Sequence, residues 1–233
     1  VFVLPSWYTT TYNPLNAIFF KDQAIALAKE MSVIVIAPAL ISFKEVISAR
    51  KLNFGLKRYS RNGIEEYIYQ FPRVPYCDRI NYFLRMMIGK MLLKKVIAEH
   101  GLPNLSHVHS YKNGGLAIWL NKTFQIPFVI TEHSSEFLRG QMSNFHRQKA
   151  QEVFSSSNKN IAVSSALSQT LQQQFSESFS VIPNIVDTDY FRPLKPVKES
   201  TYTFLNVAHL NKNKNQAMLV KAFAKFNKEQ SKT

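Results

Sequence analysis

Short apolar runs rich in β-branched residues alternate with longer stretches of helical periodicity, and this alternation limits the possible folds more than any other property of the sequence. VFVLP (1–5), SVIVIAP (32–38), LSHVHS (105–110), PFVIT (127–131), NIAVS (160–164) and SVIPN (180–184) read as strands. Between them, helical spacing predicts helices over 14–30, 79–100, 115–124, somewhere within 137–154, and 165–175. A strand that is apolar on both faces needs helices on both sides, which is the logic of βαβ units and a parallel sheet. EEYIYQF (65–71) alternates and reads as a further strand at an edge, with LNFGLKRY (52–59) a weaker candidate before it. The expected fold class is therefore α/β, a doubly wound, mostly parallel Rossmann-like sheet.

The pattern changes after residue 190, where VDTDYFRPLKPVKES gives way to an expected strand, TFLNVA, and helix, NQAMLVKAFAKFNKE. The expected organisation is a domain over 1–190, a linker over 191–200, and the first βα unit of a second domain over 201–233. Hydrophobic residues make up 45% of the 233, enough for a substantial core, so disorder is excluded as the default. Cys77 is the single cysteine, which rules out an internal disulfide and fits a reducing cytosol. No uncharged apolar run approaches the roughly 18 residues that a spanning helix needs. With 29 Lys+Arg against 15 Asp+Glu, the net charge of +14 calls for an anionic partner or surface.

The seven glycines permit neither G-x-G-x-x-G nor G-x-x-x-x-G-K-[ST], which argues against dehydrogenases and P-loop nucleotidases. In doubly wound sheets, ligands bind beyond the carboxyl ends of the strands. Polar residues recur there: Ser6, Trp7 and Tyr8 after the first strand, His109, Ser110 and Tyr111 after LSHVHS, Glu132, His133, Ser134 and Ser135 after PFVIT, and Asn184 after VIP. Gly114 and Gly115 open the helix after LSHVHS, and two readings stay open for them: close approach of a ligand to the backbone, or a tight turn with close helix packing.

NPLNAIFFKDQAIALAK, ITEHSSEF, IPNIVDTDYFRP and VAHLNKNKNQAMLVKAF, in this order, resemble the retaining glycosyltransferases of family GT4, which have the two-Rossmann GT-B fold. The resemblance implies the N-terminal, acceptor-side half of that fold followed by the start of the donor-binding half. It implies a nucleotide sugar as donor substrate, no separate cofactor, no metal, and a glycan or lipid-linked acceptor in polysaccharide biosynthesis. His133 matches the histidine that the family sets against the transferred sugar. Asn16, Asn184, His209 and Lys214 fall on donor-side positions, although His209 stands where the family carries Arg and Ala17 where Gly is common. Tyr8, His109, Gly114, Gly115, Glu132, Ser134 and Ser135 would line the acceptor cleft. The acidic pair that the family uses in its second domain is expected beyond Thr233, so this chain alone is expected to be inactive.

The helix at 79–100 sets Phe83, Met87 and Met91 beside Arg85, Lys90, Lys94 and Lys95. It reads either as a core helix with a solvated basic face or as a peripheral contact with an anionic membrane at the cytoplasmic side. Asp187 and Asp189, and His107 with His109, are weak metal candidates for want of companion ligands. Two competing functions remain: a nucleotide-sugar epimerase of the same fold, and a basic nucleic-acid-binding protein stacking bases on aromatics of 54–85 such as Tyr67 and Phe71. No RNA-binding motif supports the second, so nucleic acid is not the expected partner.

Overall fold

The computed structural model describes residues 1–50, 52–140, 142–193, 203–208, 210, 212 and 214–230. Two compact units result, Val1–Asp187 and Thr188–Thr233. The first is one eight-stranded sheet in the order β3-β4-β2-β1-β5-β6-β7-β8. Its strands are β1 (Phe2–Pro5), β2 (Val33–Ile41), β3 (Gly55–Arg61), β4 (Ile64–Pro72), β5 (Ser106–His109), β6 (Phe128–Glu132), β7 (Lys159–Ala162) and β8 (Phe179–Val181). All neighbours pair in parallel except β3 with β4.

EEYIYQF is not at an edge: β4 lies between β2 and β3, and the edge strand comes from the weaker candidate. The hairpin that places it turns at Asn62 and Gly63, both with positive φ (54° and 75°), between the paired Arg61 and Ile64. Asn-Gly is the favoured pair for such a two-residue turn, because its backbone twist matches that of the strands it joins.

The helices are α1 (Ile18–Leu27), α2 (Phe43–Ala49), α3 (Asp78–His100), α4 (Gly114–Phe124), α5 (Asn144–Ser156) and α6 (Ser165–Phe175) in the first unit, and α7 (Gln216–Gln230) in the second. Helix α1 begins four residues later than 14 because Ala17 sits in the left-handed region (φ 53°) with no side chain capping the helix. A glycine would take that conformation freely. Helix α2, not anticipated from the sequence, is set by a capping box in which Ser42 accepts from the Glu45 amide and the Glu45 carboxylate accepts from the Ser42 amide.

The pleat sorts side chains to two cores. Phe2, Leu4, Ile34 and Ile36 pack with Leu92 and Val96 of α3, Leu116 of α4 and Val153 of α5. Val3, Val33, Val35 and Ala37 pack with Phe20 and Ala24 of α1 on the opposite face. Tyr67 and Phe71 belong to this interior, 1% and 5% exposed, and present no face to a base.

In the second unit α7 forms where a helix was expected, but 203–208 has no partner strand among the described residues and is not a strand. Extended chain becomes a ladder only with a neighbour to bond. Most of the expected linker, 194–200, lies outside the described residues, as does His209. Among the described residues, no helix is long and apolar enough to cross a membrane.

Candidate active site

The carboxyl ends of β1, β5 and β6 are tied together by short polar bonds. Ser6 Oγ donates to the Ser110 carbonyl at 2.7 Å and accepts from the Asn113 amide at 2.9 Å. The Ser110 amide donates to the Thr131 carbonyl, with Ser110 itself at φ 66°. Such a conformation is costly for a side chain larger than hydrogen and persists where its surroundings hold it.

Glu132 is the centre of this knot. Fully buried, it accepts from Ser110 Oγ (2.8 Å) and from the amides of Tyr111 (3.1 Å), His133 (2.9 Å) and Ser134 (2.8 Å). Burial raises its pKa, and these four donors oppose the rise. With both oxygens occupied and no exposed surface, Glu132 does not line a cleft; it shapes the loop on which His133 stands.

His133 projects to the α1 side. Its Nε2 lies 3.1 Å from His109 Nδ1, and its ring meets Phe20 edge-on at 4.7 Å and Phe19 at 5.4 Å. His109 is fully buried and stacks on Phe20. Its ring lies 4.3 Å from that of His107, which reaches Thr131 Oγ1 at 2.8 Å. Burial lowers all three imidazoles: His107 to about 4, His109 well below the usual 6.5, and His133 to about 3, where the His107 charge adds to the effect and Asn184 opposes it. The three are neutral at physiological pH. His133 Nδ1 is buried and makes no close hydrogen bond, the Asn184 side chain offering it only a weak one, an incomplete pairing that a ligand hydroxyl would complete.

Asn16 and Asn184 come to this side as well. Asn16 Nδ2 donates to the Tyr8 carbonyl at 3.3 Å, and exposed Asn184 accepts from Gln23 Nε2 at 3.0 Å. Ser134 and Ser135 follow on the loop, half-buried and exposed, with Ser134 Oγ accepting from the Glu136 amide and Ser135 Oγ from Arg139.

Several expected cleft residues are elsewhere. Tyr8 is 1% exposed, its hydroxyl donating to buried Glu66 at 2.8 Å. His109 stands behind His133 as its support. Gly114 and Gly115 serve packing: a Cβ on Gly114 would come within 2.3 Å of Val153, and one on Gly115 within 2.5 Å of the Tyr82 hydroxyl. Lys214 is exposed in the second unit. Among the described residues, no group of three or more His, Cys, Asp or Glu is placed to hold a metal ion.

On the α3–α5 side, the same loops border a cleft of about 420 Å³ lined by Ser6, Trp7, Arg73, Arg85, Lys112 and Glu136, among others. The sequence reading named its Ser6 and Trp7 but not its cations. Arg85 was placed on a solvated basic face, yet its side chain turns inward and donates to the Ser6 carbonyl at 2.8 Å. The available signal was spacing: Asn81 and Tyr82 lie one turn before Arg85 on α3, and all three line the cleft.

Residues 20–190 match Glycosyltransferase Family 4. The chain belongs to this family. Its mostly parallel sheet is that of the GT-B glycosyltransferases among the solved structures. Sucrose-phosphate synthase from Thermosynechococcus elongatus superposes with a TM-score of 0.57 at 13% identity, over 83% of this chain and 50% of that one. An E. coli structure described as trehalose-6-phosphate bound with UDP-2-fluoro glucose gives 0.51 at 10% identity, over 84% and 52%. Anabaena HepE, solved in complex with UDP and glucose, gives 0.50 at 16% identity, over 81% and 45%. This Family 4 chain thus spans about half the length of these structures. No curated protein matches it.

Proposed function

We propose that this chain is the acceptor-side part of a retaining glycosyltransferase that moves a sugar from a nucleotide-sugar donor to a glycan or lipid-linked acceptor in polysaccharide assembly. The observation that carries the reading is His133, a neutral imidazole at the carboxyl end of the sheet with one nitrogen held by His109 and the other without a close hydrogen bond, only weakly met by Asn184. A sugar hydroxyl both donates and accepts, so it satisfies Nδ1 whichever tautomer is present.

With its pKa near 3, His133 is too weakly basic to serve as a general base at neutral pH. Its role is a fixed dipole and hydrogen bond at the sugar as positive charge develops there. Retention asks mainly for stabilisation of the leaving diphosphate, assigned here to Lys214 and His209 of the second unit. Asn16 and Asn184 are assigned to the donor, and Ser134 and Ser135 to the acceptor. An anionic membrane is the proposed resting surface, because α3 exposes Ile80, Phe83, Met87 and Met91 in one stripe beside the exposed Arg79 and Lys94.

The test is release of free nucleotide by the full-length protein from a panel of UDP- and GDP-sugars. His133→Ala should lose at least about tenfold in kcat, about 1.4 kcal/mol of transition-state stabilisation, and donor binding by calorimetry should persist. Wild-type turnover in His133→Ala would remove His133 from the mechanism. Neither release nor binding of any donor would remove the transferase reading.

A further inference from the structure

The cleft on the α3–α5 side holds three cations, Arg73, Arg85 and Lys112, and three carboxylates, Glu45, Asp78 and Glu136. The carboxylates are engaged. Glu45 caps α2 through Ser42, Asp78 lies 3.7 Å from Arg73 and 3.3 Å from His146, and Glu136 lies 3.3 Å from Lys112. Arg85 is the one cation of this cleft with no carboxylate within 4.0 Å among the described residues. Its guanidinium is fixed at the wall by the Ser6 carbonyl, which leaves its other nitrogens to the cleft. Burial, and after it the charge of Arg73, lower its pKa to about 10, so it stays charged at neutral pH while two guanidiniums repel across the same space.

We propose that this cleft binds a phosphoryl group, and that the acceptor of the transfer is a phosphorylated molecule seated by Arg85, with Arg73 and Lys112 completing the set. Planar guanidinium forks match phosphate oxygens in pairs, and cations from α3, the β4–α3 loop and the β5–α4 turn approach from different directions, which suits a tetrahedral anion better than a flat carboxylate. In the second basic hollow of the unit the one guanidinium, Arg61, and Lys21 are both bonded at 2.9 Å to buried Glu66, which leaves Lys57, a point charge without a fork, as its cation free of a carboxylate among the described residues. The identification of the phosphate carrier as the acceptor rests on the transferase reading; the phosphate site itself does not.

Trp7 lines the cleft, so its fluorescence reports occupancy, and Trp7→Phe subtracts the signal of Trp119. Titration of this chain with inorganic phosphate, against chloride at matched ionic strength, should give a saturable change. Arg85→Gln should weaken it at least tenfold and Arg85→Lys less, while Lys57→Gln in the other hollow leaves it unchanged. If Arg85→Gln fails to fold by circular dichroism, Lys112→Gln serves in its place and should weaken binding several-fold. A non-saturable response, or equal binding by a folded Arg85→Gln, overturns the proposal. Glucose 6-phosphate and phosphatidate vesicles, against glucose and phosphatidylcholine vesicles, then separate a soluble ester from a lipid-borne one; binding of neither phosphate also overturns it. No donor or turnover enters this experiment, so its failure leaves the nucleotide-release test standing, and the reverse holds equally.

Discussion

The three clustered imidazoles make a sharp prediction for acid stability. His107 is held to about 4 by burial, against about 6.5 for an exposed histidine. Between these values the unfolded chain binds a proton that the folded chain refuses, so stability falls as pH drops below about 6.5 and is fully retained above it. For a group moving from 6.5 to 4, the loss between pH 7 and pH 5 is about 2 kcal/mol, or about 1.5 if the folded value is nearer 5. Glu132 acts in the opposite sense, because its raised pKa favours the folded state as pH falls towards 4.5. The wild-type curve alone therefore mixes the two. His107→Asn isolates the effect: its amide can still bond Thr131, but it does not titrate. Urea unfolding at pH 7 and pH 5 should show the wild type losing about 1.5–2 kcal/mol more than the variant, a difference of roughly 3–8 °C in melting temperature for a unit of this size. An equal loss in both proteins would mean that His107 is not held neutral by its surroundings.

Other consequences follow from the packing and the surface. Gly114→Ala should cost about 1–3 kcal/mol from overpacking against Val153, and Val153→Ala in the same chain should recover part of it; additive losses in a double-mutant cycle would contradict the contact. Glu132→Gln replaces an acceptor of four hydrogen bonds by a group that turns donors towards donors, at about 1–3 kcal/mol per amide left unpaired. A thermal midpoint unchanged by Glu132→Gln would show that the knot has other support. Phe83→Glu should reduce co-sedimentation with anionic vesicles, and equal sedimentation with neutral vesicles would sink the membrane surface proposed for α3.

The strand runs were legible because a parallel sheet buried on both faces leaves a plain trace: VFVLP and SVIVIAP carry no solvent side to disguise them. The edge was misjudged because EEYIYQF alternates as a half-exposed strand does. Its glutamates are accommodated by pairing, with Glu66 fully buried between Lys21 and Arg61, and only the tertiary partners reveal that. Asn62-Gly63 carried the hairpin signal that would have corrected the order. Arg85 was hidden for a related reason, since a helical basic residue reads as solvated until the neighbouring loops close over it.

The polar end of β6 joins both aspects of the site. Alternation along a strand sends successive side chains to opposite faces, so Thr131 and His133 turn to the α1 side while Glu132 between them turns to the α4 side. On the α4 side the turn after β5 brings donors to meet the carboxylate, and all are satisfied. On the α1 side the chain supplies aromatic rings and neutral imidazoles, which close around His133 and leave Nδ1 without a close hydrogen bond. One residue type could therefore be exchanged for function only at the cost of the other's position: moving the register by a single residue would bury the histidine among amides and push the carboxylate against Phe20. The sequence TEHSS is thus constrained at two adjacent positions for different reasons, stability at Glu132 and, on the proposed function, ligand contact at His133, and the separate assays of melting temperature and nucleotide release should divide their variants along that line.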